Sequence, residues 1–90
     1  MKKELALKIA NEHVKLETGT VTYYVLSNGK YLHVQTISEP FYYDDTDLVT
    51  YIDTEDENGD CIETHTAHAD NIDSIAYWIY NLCYDTDIVH

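Results

Sequence analysis

The dipeptide Asn-Gly occurs twice in this chain, at residues 28–29 and 58–59, each time between two runs of alternating side chains. Asn and Gly tolerate the positive φ angles of tight hairpin turns, so Asn-Gly between such runs is the strongest short-range hairpin signal. The sequence therefore predicts two β-hairpins and an antiparallel sheet of four strands. The expected strands run from Val21 to Leu26, from Tyr31 to Ile37, from Leu48 to Asp53 and from Cys61 to about Thr66.

The first hairpin also yields a predicted register. If Asn28 and Gly29 are the two loop residues, Ser27 faces Lys30 across the turn. The cross-strand pairs that follow are Val25 with Leu32, Tyr23 with Val34 and Val21 with Thr36. One face of this hairpin is then apolar and is expected to pack on the core.

Two helical patterns flank the strands. Residues 2–17 are good helix formers with apolar residues at roughly helical spacing, and Thr18-Gly19 ends the run. Near the C-terminus, Asp70 is expected to cap an amphipathic helix, with Asp73 three residues later. The predicted fold is α+β: an N-terminal helix, a four-stranded antiparallel sheet from two hairpins and a C-terminal helix packed on the sheet. With neither a Gly/Ser-rich linker nor a repeat, residues 1–90 are expected to form a single acidic domain.

The charge of the chain is one-sided. The formal net charge is −12, all five lysines lie in residues 1–30, and arginine is absent. Residues 31–90 contain fourteen of the seventeen carboxylates, all but Glu4, Glu12 and Glu17. Such a charge can serve solubility alone, but without basic partners it favours an anionic surface that binds a basic one. Direct binding to nucleic acid or to an anionic membrane is not expected, because lysine and arginine supply those contacts.

The acidic segment from Thr54 to Glu63 invites comparison with a calcium-binding EF-hand loop. When Gly59 takes the sixth loop position, Thr54 and Thr66 fall on the first and twelfth, where calcium ligation needs an aspartate and a bidentate glutamate. The flanking residues also resemble strands. We therefore expect an acidic hairpin tip at this place and no calcium site.

Metal and catalytic sites are also not expected elsewhere. The candidate transition-metal ligands are His33 and the run Cys61, His65 and His68, but strand alternation would put Cys61 and His65 on one face and His68 on the other. A nucleophilic cysteine needs an electropositive setting, whereas acids surround both Cys61 and Cys83. The sequence thus predicts no metal, no cofactor and no enzyme. Without a signal-peptide-like or spanning apolar run, the expected location is the cytoplasm.

Tyrosines interleaved with acids indicate where a partner would bind. Tyrosine is a favoured interface anchor, and on a strand Asp53, Glu55 and Glu57 would lie roughly 6.6 Å apart along one edge, comparable with phosphates along a nucleic acid. The expected partner-binding residues are Tyr42, Tyr43, Asp44, Asp45, Asp47, Tyr51, Asp53, Glu55, Asp56, Glu57, Asp60, Glu63, Asp70 and Asp73.

Size, acidity, the order of helix, strands and helix, and the run Ala69-Asp70 followed by Asp73-Ser74-Ile75 together carry a resemblance. The chain resembles the small acidic anti-CRISPR proteins of bacteriophages, in particular the type I-F inhibitor that mimics DNA. The resemblance implies a protein that binds a basic nucleic-acid-binding subunit of a CRISPR–Cas effector in the host bacterial cytoplasm and blocks target-DNA binding. It assigns a binding role to Asp70 and Asp73.

Two other functions fit the same charges. An immunity protein or antitoxin could fill the basic active site of a nuclease toxin, and a regulatory adaptor could bind through its tyrosines while the charge only keeps it soluble. The sequence leaves these alternatives and the oligomeric state open.

Overall fold

A computed structural model describes residues 1–38 and 48–89 of the chain. The elements are α1 (Lys3–His13), β1 (Val21–Val25), β2 (Tyr31–Ser38), β3 (Leu48–Glu55), β4 (Cys61–His68) and α2 (Ile72–Leu82). The strands form one antiparallel sheet in the order β1-β2-β3-β4. The predicted α+β class, with its two hairpins between two helices, is confirmed. No described helix is long and apolar enough to cross a membrane.

The register of the first hairpin differs from the predicted one. The N–H of Leu26 donates to the carbonyl of Lys30 at 2.9 Å, so the loop has three residues, Ser27, Asn28 and Gly29, rather than two. Gly29 has a φ of +85°, which is typical of a three-residue loop that ends in a left-handed glycine. The observed pairs are Val25 with Tyr31, Tyr24 with Leu32, Tyr23 with His33, Thr22 with Val34 and Val21 with Gln35.

This one-residue shift exchanges the faces of β1. Side chains alternate along a strand, so moving the pairing by one residue turns every side chain of β1 to the other side of the sheet. Tyr23 and Val25 are 58% and 48% exposed, and they lie on the face that neither helix covers. Tyr24 and Leu26 pack towards the core instead. The prediction that Val21, Tyr23 and Val25 share an apolar core face with Leu32 and Val34 is therefore wrong.

Both helices cover the same face of the sheet, which we call the helix face; the other is the open face. On the side of β2, His13 of α1 reaches Thr36, with 2.9 Å between Nε2 and Oγ1. On the side of β4, the ring of Trp78 from α2 stacks on His65. The apolar residues between these layers form one cluster, which contains Ala6, Ile9, Ala10, Leu26, Leu32, Val34, Ile52, Ile75, Ile79 and Cys83.

The cap of α2 also differs in detail from the prediction. Asn71, not Asp70, is the N-cap, because its side-chain oxygen accepts a hydrogen bond of 3.1 Å from the N–H of Ser74. Asp70 lies in the turn before it, and Asp73 lies in the first helical turn. An acidic side chain in the first turn interacts favourably with the helix dipole, so Asp73 has a structural role whether or not it binds a partner.

Candidate binding surface

Six carboxylates lie on the hairpin that β3 and β4 form, within eleven consecutive residues. We call this group the acidic hairpin. Its members share one end of the sheet, next to the β1–β2 turn, because Glu55 pairs with Tyr31 at the start of β2. The acidic hairpin consists of Asp53, Glu55, Asp56, Glu57, Asp60 and Glu63.

The turn of the acidic hairpin uses one of these carboxylates for its own structure. Oδ1 of Asp56 accepts hydrogen bonds from the N–H groups of Asn58 at 2.9 Å and Asp60 at 3.0 Å. Gly59 follows with a φ of +84°. The turn therefore has the same three-residue form as the first hairpin, and the prediction of a hairpin tip between two strands is confirmed. Asp56 is a turn-forming residue, while Glu57 and Asp60 are exposed to solvent.

Asp53 and Glu55 differ from the residues at the tip. Their side chains are only 16% and 14% exposed, and both point to the open face beside His33 of β2. Nδ1 of His33 lies 2.9 Å from Oδ2 of Asp53 and 3.6 Å from Oε2 of Glu55. The two carboxylates thus share a single imidazole, which is itself 13% exposed.

The sheet register explains why these three residues meet. Directly opposed residues on antiparallel strands point to the same face. One row across the open face holds Tyr23, His33, Asp53 and Thr64, and the next row holds Val25, Tyr31, Glu55 and Cys61. The ring of Tyr23 also contacts the imidazole of His33, with 4.8 Å between the ring centroids.

Among the other predicted residues that the structure describes, Tyr51, Asp70 and Asp73 do not belong to the acidic hairpin. Asp70 and Asp73 lie beyond the far end of β4, and the eight residues of that strand span roughly 25 Å. Tyr51 is half-buried on the open face, in the middle of β3. The structure therefore separates two acidic regions. The predicted residues Tyr42, Tyr43, Asp44, Asp45 and Asp47 lie outside the described residues.

Cys61, His65 and His68 do not all lie on one face of the sheet, and their arrangement differs from the predicted one. A bulge between Thr54 and Glu55 makes Cys61 pair with Glu55, so Cys61 faces the open side while His65 faces α2. The prediction that Cys61 and His65 share a face is therefore wrong. The Sγ atom of Cys61 contacts Oγ1 of Thr64 at 2.8 Å, and His65 pairs with Glu63.

Histidine is the only cationic partner of the carboxylates in the described part of the chain. Every ion pair within residues 1–38 and 48–89 uses a histidine, either His33 or His65. Lys3 lies over the ring of Tyr80 instead, 5.4 Å from its centroid. The negative charge of the acidic hairpin is therefore not cancelled by the lysines of the chain, and it is available to attract a basic surface.

The sequence indicated Asp53 and Glu55 but not their partner His33. The sequence offered His33 as a candidate transition-metal ligand together with Cys61, His65 and His68. Because side chains alternate along β2, the sequence placed His33 on the face of the first hairpin that is not apolar. No turn signal in the sequence indicated how β2 pairs with β3. Because β2 and β3 pair with Asp53 directly opposite His33, these two side chains lie on the same face and come into contact.

No family model matches the chain, and neither does any of the curated proteins or solved structures with which it was compared.

Proposed function

We propose that the protein is a phage-type inhibitor, similar to anti-CRISPR proteins, that binds a basic nucleic-acid-binding surface of a bacterial defence complex. The acidic hairpin would take the place of the nucleic-acid backbone on that surface and so block DNA or RNA binding. The partner would be a CRISPR–Cas effector subunit or a protein of similar surface charge.

The observation that carries this proposal is the crowding of six carboxylates on one hairpin without a lysine partner within the described residues. Like charges in one place destabilise the fold by mutual repulsion, so their concentration favours a role in binding. A rigid antiparallel hairpin also holds charges at fixed spacings. Residues two apart on a strand are about 6.6 Å apart, which is roughly twice the 3.4 Å of helix axis per phosphate of one DNA strand.

The second acidic region extends the same argument. Asp70 and Asp73 stand at the other end of β4, roughly 25 Å from the hairpin turn. About seven successive phosphates of one strand cover that distance. A basic channel that holds a nucleic-acid strand could therefore contact both acidic regions at once.

The test is a DNA-binding assay with a purified type I-F surveillance complex, in which the protein is added before the target DNA. We expect the wild-type protein to prevent DNA binding and the double variant Glu57→Lys/Asp60→Lys to lose at least tenfold in potency. Glu57 and Asp60 are preferred to Asp53 and Glu55 because both are exposed, whereas Asp53 and Glu55 contact His33.

The matched control is Glu12→Lys/Glu17→Lys, which makes the same change in net charge on and just after α1, where both side chains are exposed. Equal losses in the two double variants would show that only the total charge matters and would contradict a specific binding surface. If the wild-type protein leaves DNA binding unchanged, the surveillance complex is not its partner.

Two experiments distinguish the alternative functions: the identification of captured partners and the dependence of binding affinity on salt concentration. When the protein is used to capture partners from a bacterial lysate, a nuclease toxin would identify an immunity protein or antitoxin. An adaptor that binds through tyrosines would hold its partner with an affinity that stays constant from low to high salt. Both forms of charge mimicry require an affinity that falls steeply with salt.

A further inference from the structure

We propose that His33, Asp53 and Glu55 form a binding site for one divalent transition-metal ion on the open face of the sheet. The three side chains offer one imidazole nitrogen and two carboxylate oxygens, all within 4.8 Å of one another. The proposal reverses the expectation from sequence that the chain has no metal site. It does not depend on the proposed inhibitor function.

The distances from His33 to the two carboxylates are close to those between ligands that share an ion. In a tetrahedral zinc site with bonds of about 2.0–2.1 Å, the ligand atoms lie about 3.3–3.4 Å apart. The distances from Nδ1 of His33 to the two carboxylates, 2.9 Å and 3.6 Å, lie on either side of that value. Shifts of a few tenths of an ångström would bring Nδ1 of His33 to the ligand spacing with each carboxylate, and all three ligand atoms already lie within 4.8 Å of one another.

The charges of the cluster favour a cation. Two carboxylates lie together at 16% and 14% side-chain exposure, and the one imidazole between them can supply at most one positive charge. Burying like charges together is unfavourable unless a cation compensates them. Lysine does not approach the cluster within the described part of the chain, so a divalent ion would complete the charge balance.

One oxygen atom of the cluster is buried and lacks a hydrogen-bond partner within the described residues. This atom is Oδ1 of Asp53. Buried polar atoms without a partner are rare in folded proteins and often mark an ion or a water. An ion held by this carboxylate would remove that deficit.

The donor set selects the class of ion. Imidazole together with carboxylate suits zinc, manganese and similar first-row ions, whereas calcium needs six to eight oxygen ligands. Three protein ligands leave at least one coordination position for water or for a group from a partner. The ligands stand on two adjacent, directly paired strands, which fixes their relative positions before the ion binds.

The test is isothermal titration calorimetry of the full chain with Zn²⁺ and, separately, with Mn²⁺, Ca²⁺ and Mg²⁺. We expect one Zn²⁺ per chain, weaker binding of Mn²⁺, and no comparable heat from Ca²⁺ or Mg²⁺. The variants His33→Gln, Asp53→Asn and Glu55→Gln should each weaken Zn²⁺ binding at least tenfold. The matched control is His65→Gln, which removes a histidine–carboxylate pair on the opposite face and should leave the affinity unchanged.

A second measurement locates the ion without any substitution. Substoichiometric Mn²⁺ should broaden the NMR signals of His33, Asp53 and Glu55 before those of His65 and Glu63, because paramagnetic broadening depends steeply on distance. No Zn²⁺ binding by the wild-type chain would overturn the proposal. So would unchanged binding in His33→Gln and Asp53→Asn, or broadening centred on other residues. These measurements need no partner, so their outcome is separate from that of the DNA-binding assay.

Discussion

The imidazole of His65 and the indole of Trp78 stack with their centroids 3.8 Å apart and their planes within 5° of parallel. His65 belongs to β4, an edge strand of the sheet, and Trp78 belongs to α2. Glu63 forms an ion pair with Nε2 of the same imidazole. The stack therefore attaches the end of the acidic hairpin to the helix layer.

We predict that this stack contributes about 0.5–1.5 kcal/mol beyond the area that it buries, as is typical of aromatic pairs. The measurement is a double-mutant cycle with His65→Ala, Trp78→Ala and the combined variant, using urea denaturation to obtain each free energy of unfolding. Additive losses within error would show that the two rings do not stabilise each other. Tyr84→Ala, at a side chain that is 67% exposed, should change the free energy of unfolding by no more than about 0.5 kcal/mol.

His13 makes stability depend on pH. Burial lowers the pKa of His13 below its ordinary value of 6.5, and the residue is 4% exposed with Nδ1 unsatisfied among the described residues. The unfolded chain therefore binds this proton more readily than the folded one. The contribution of His13 to the free energy of unfolding is complete above pH 6.5 and decreases as the pH falls towards the lowered value.

The check is to compare the wild type with His13→Gln, whose side chain stays neutral, between pH 7.5 and pH 5. Other titrating groups are common to both proteins and cancel in the difference. We expect the stability advantage of the wild type to shrink as the pH falls. A difference that is constant over this range would contradict a buried neutral His13.

Gly59 is required by the conformation of its backbone and not by space. Its φ is +84°, and a Cβ atom added there would meet nothing within 4 Å. Gly59→Ala should therefore destabilise the protein by about 1–2 kcal/mol through backbone strain alone. Gly59→Asn should cost less, because asparagine adopts the left-handed region more readily. Equal losses for Ala and Asn in thermal or urea denaturation would contradict this explanation.

The two cysteines should differ sharply in reactivity. Burial raises the pKa of Cys83 to about 11, and this thiol is fully enclosed in the core, whereas Cys61 is exposed. At pH 8 a chromogenic disulfide reagent should label one thiol of the native protein rapidly and the second only after denaturation. Cys61→Ser should abolish the rapid phase. Two rapid phases in the native wild type would show that the core around Cys83 opens easily.

Most of the fold could be predicted from local signals. The Asn-Gly dipeptides marked both turns, the amphipathic pattern marked α2, and the alternation of β2 correctly put Leu32 and Val34 in the core. The register of β1 could not be predicted in this way. Asn-Gly is compatible with a two-residue loop and with a three-residue loop that starts at Ser27, and the alternating residues of β1 are apolar or aromatic on both faces.

The candidate site, like the fold, could be predicted from the sequence only in part. The sequence identified the acids of the β3–β4 hairpin because they are consecutive in the chain, but it could not show that Asp56 forms the turn while Glu57 remains exposed. It also grouped Asp70 and Asp73 with the hairpin acids as partner-binding residues without showing how far apart they lie. The structure places Asp70 and Asp73 at the opposite end of β4 from the hairpin turn.

By itself the sequence determined the order of the elements, the positions of both turns and the concentration of carboxylates after Lys30. Those properties depend on neighbouring residues and on composition. Only the tertiary structure decided that Tyr23 and Val25 lie on the open face, and that His33 of β2 meets Asp53 and Glu55 of β3. The physical reason is that side chains alternate with a period of two, so strand pairing over long sequence separations decides which residues share a face.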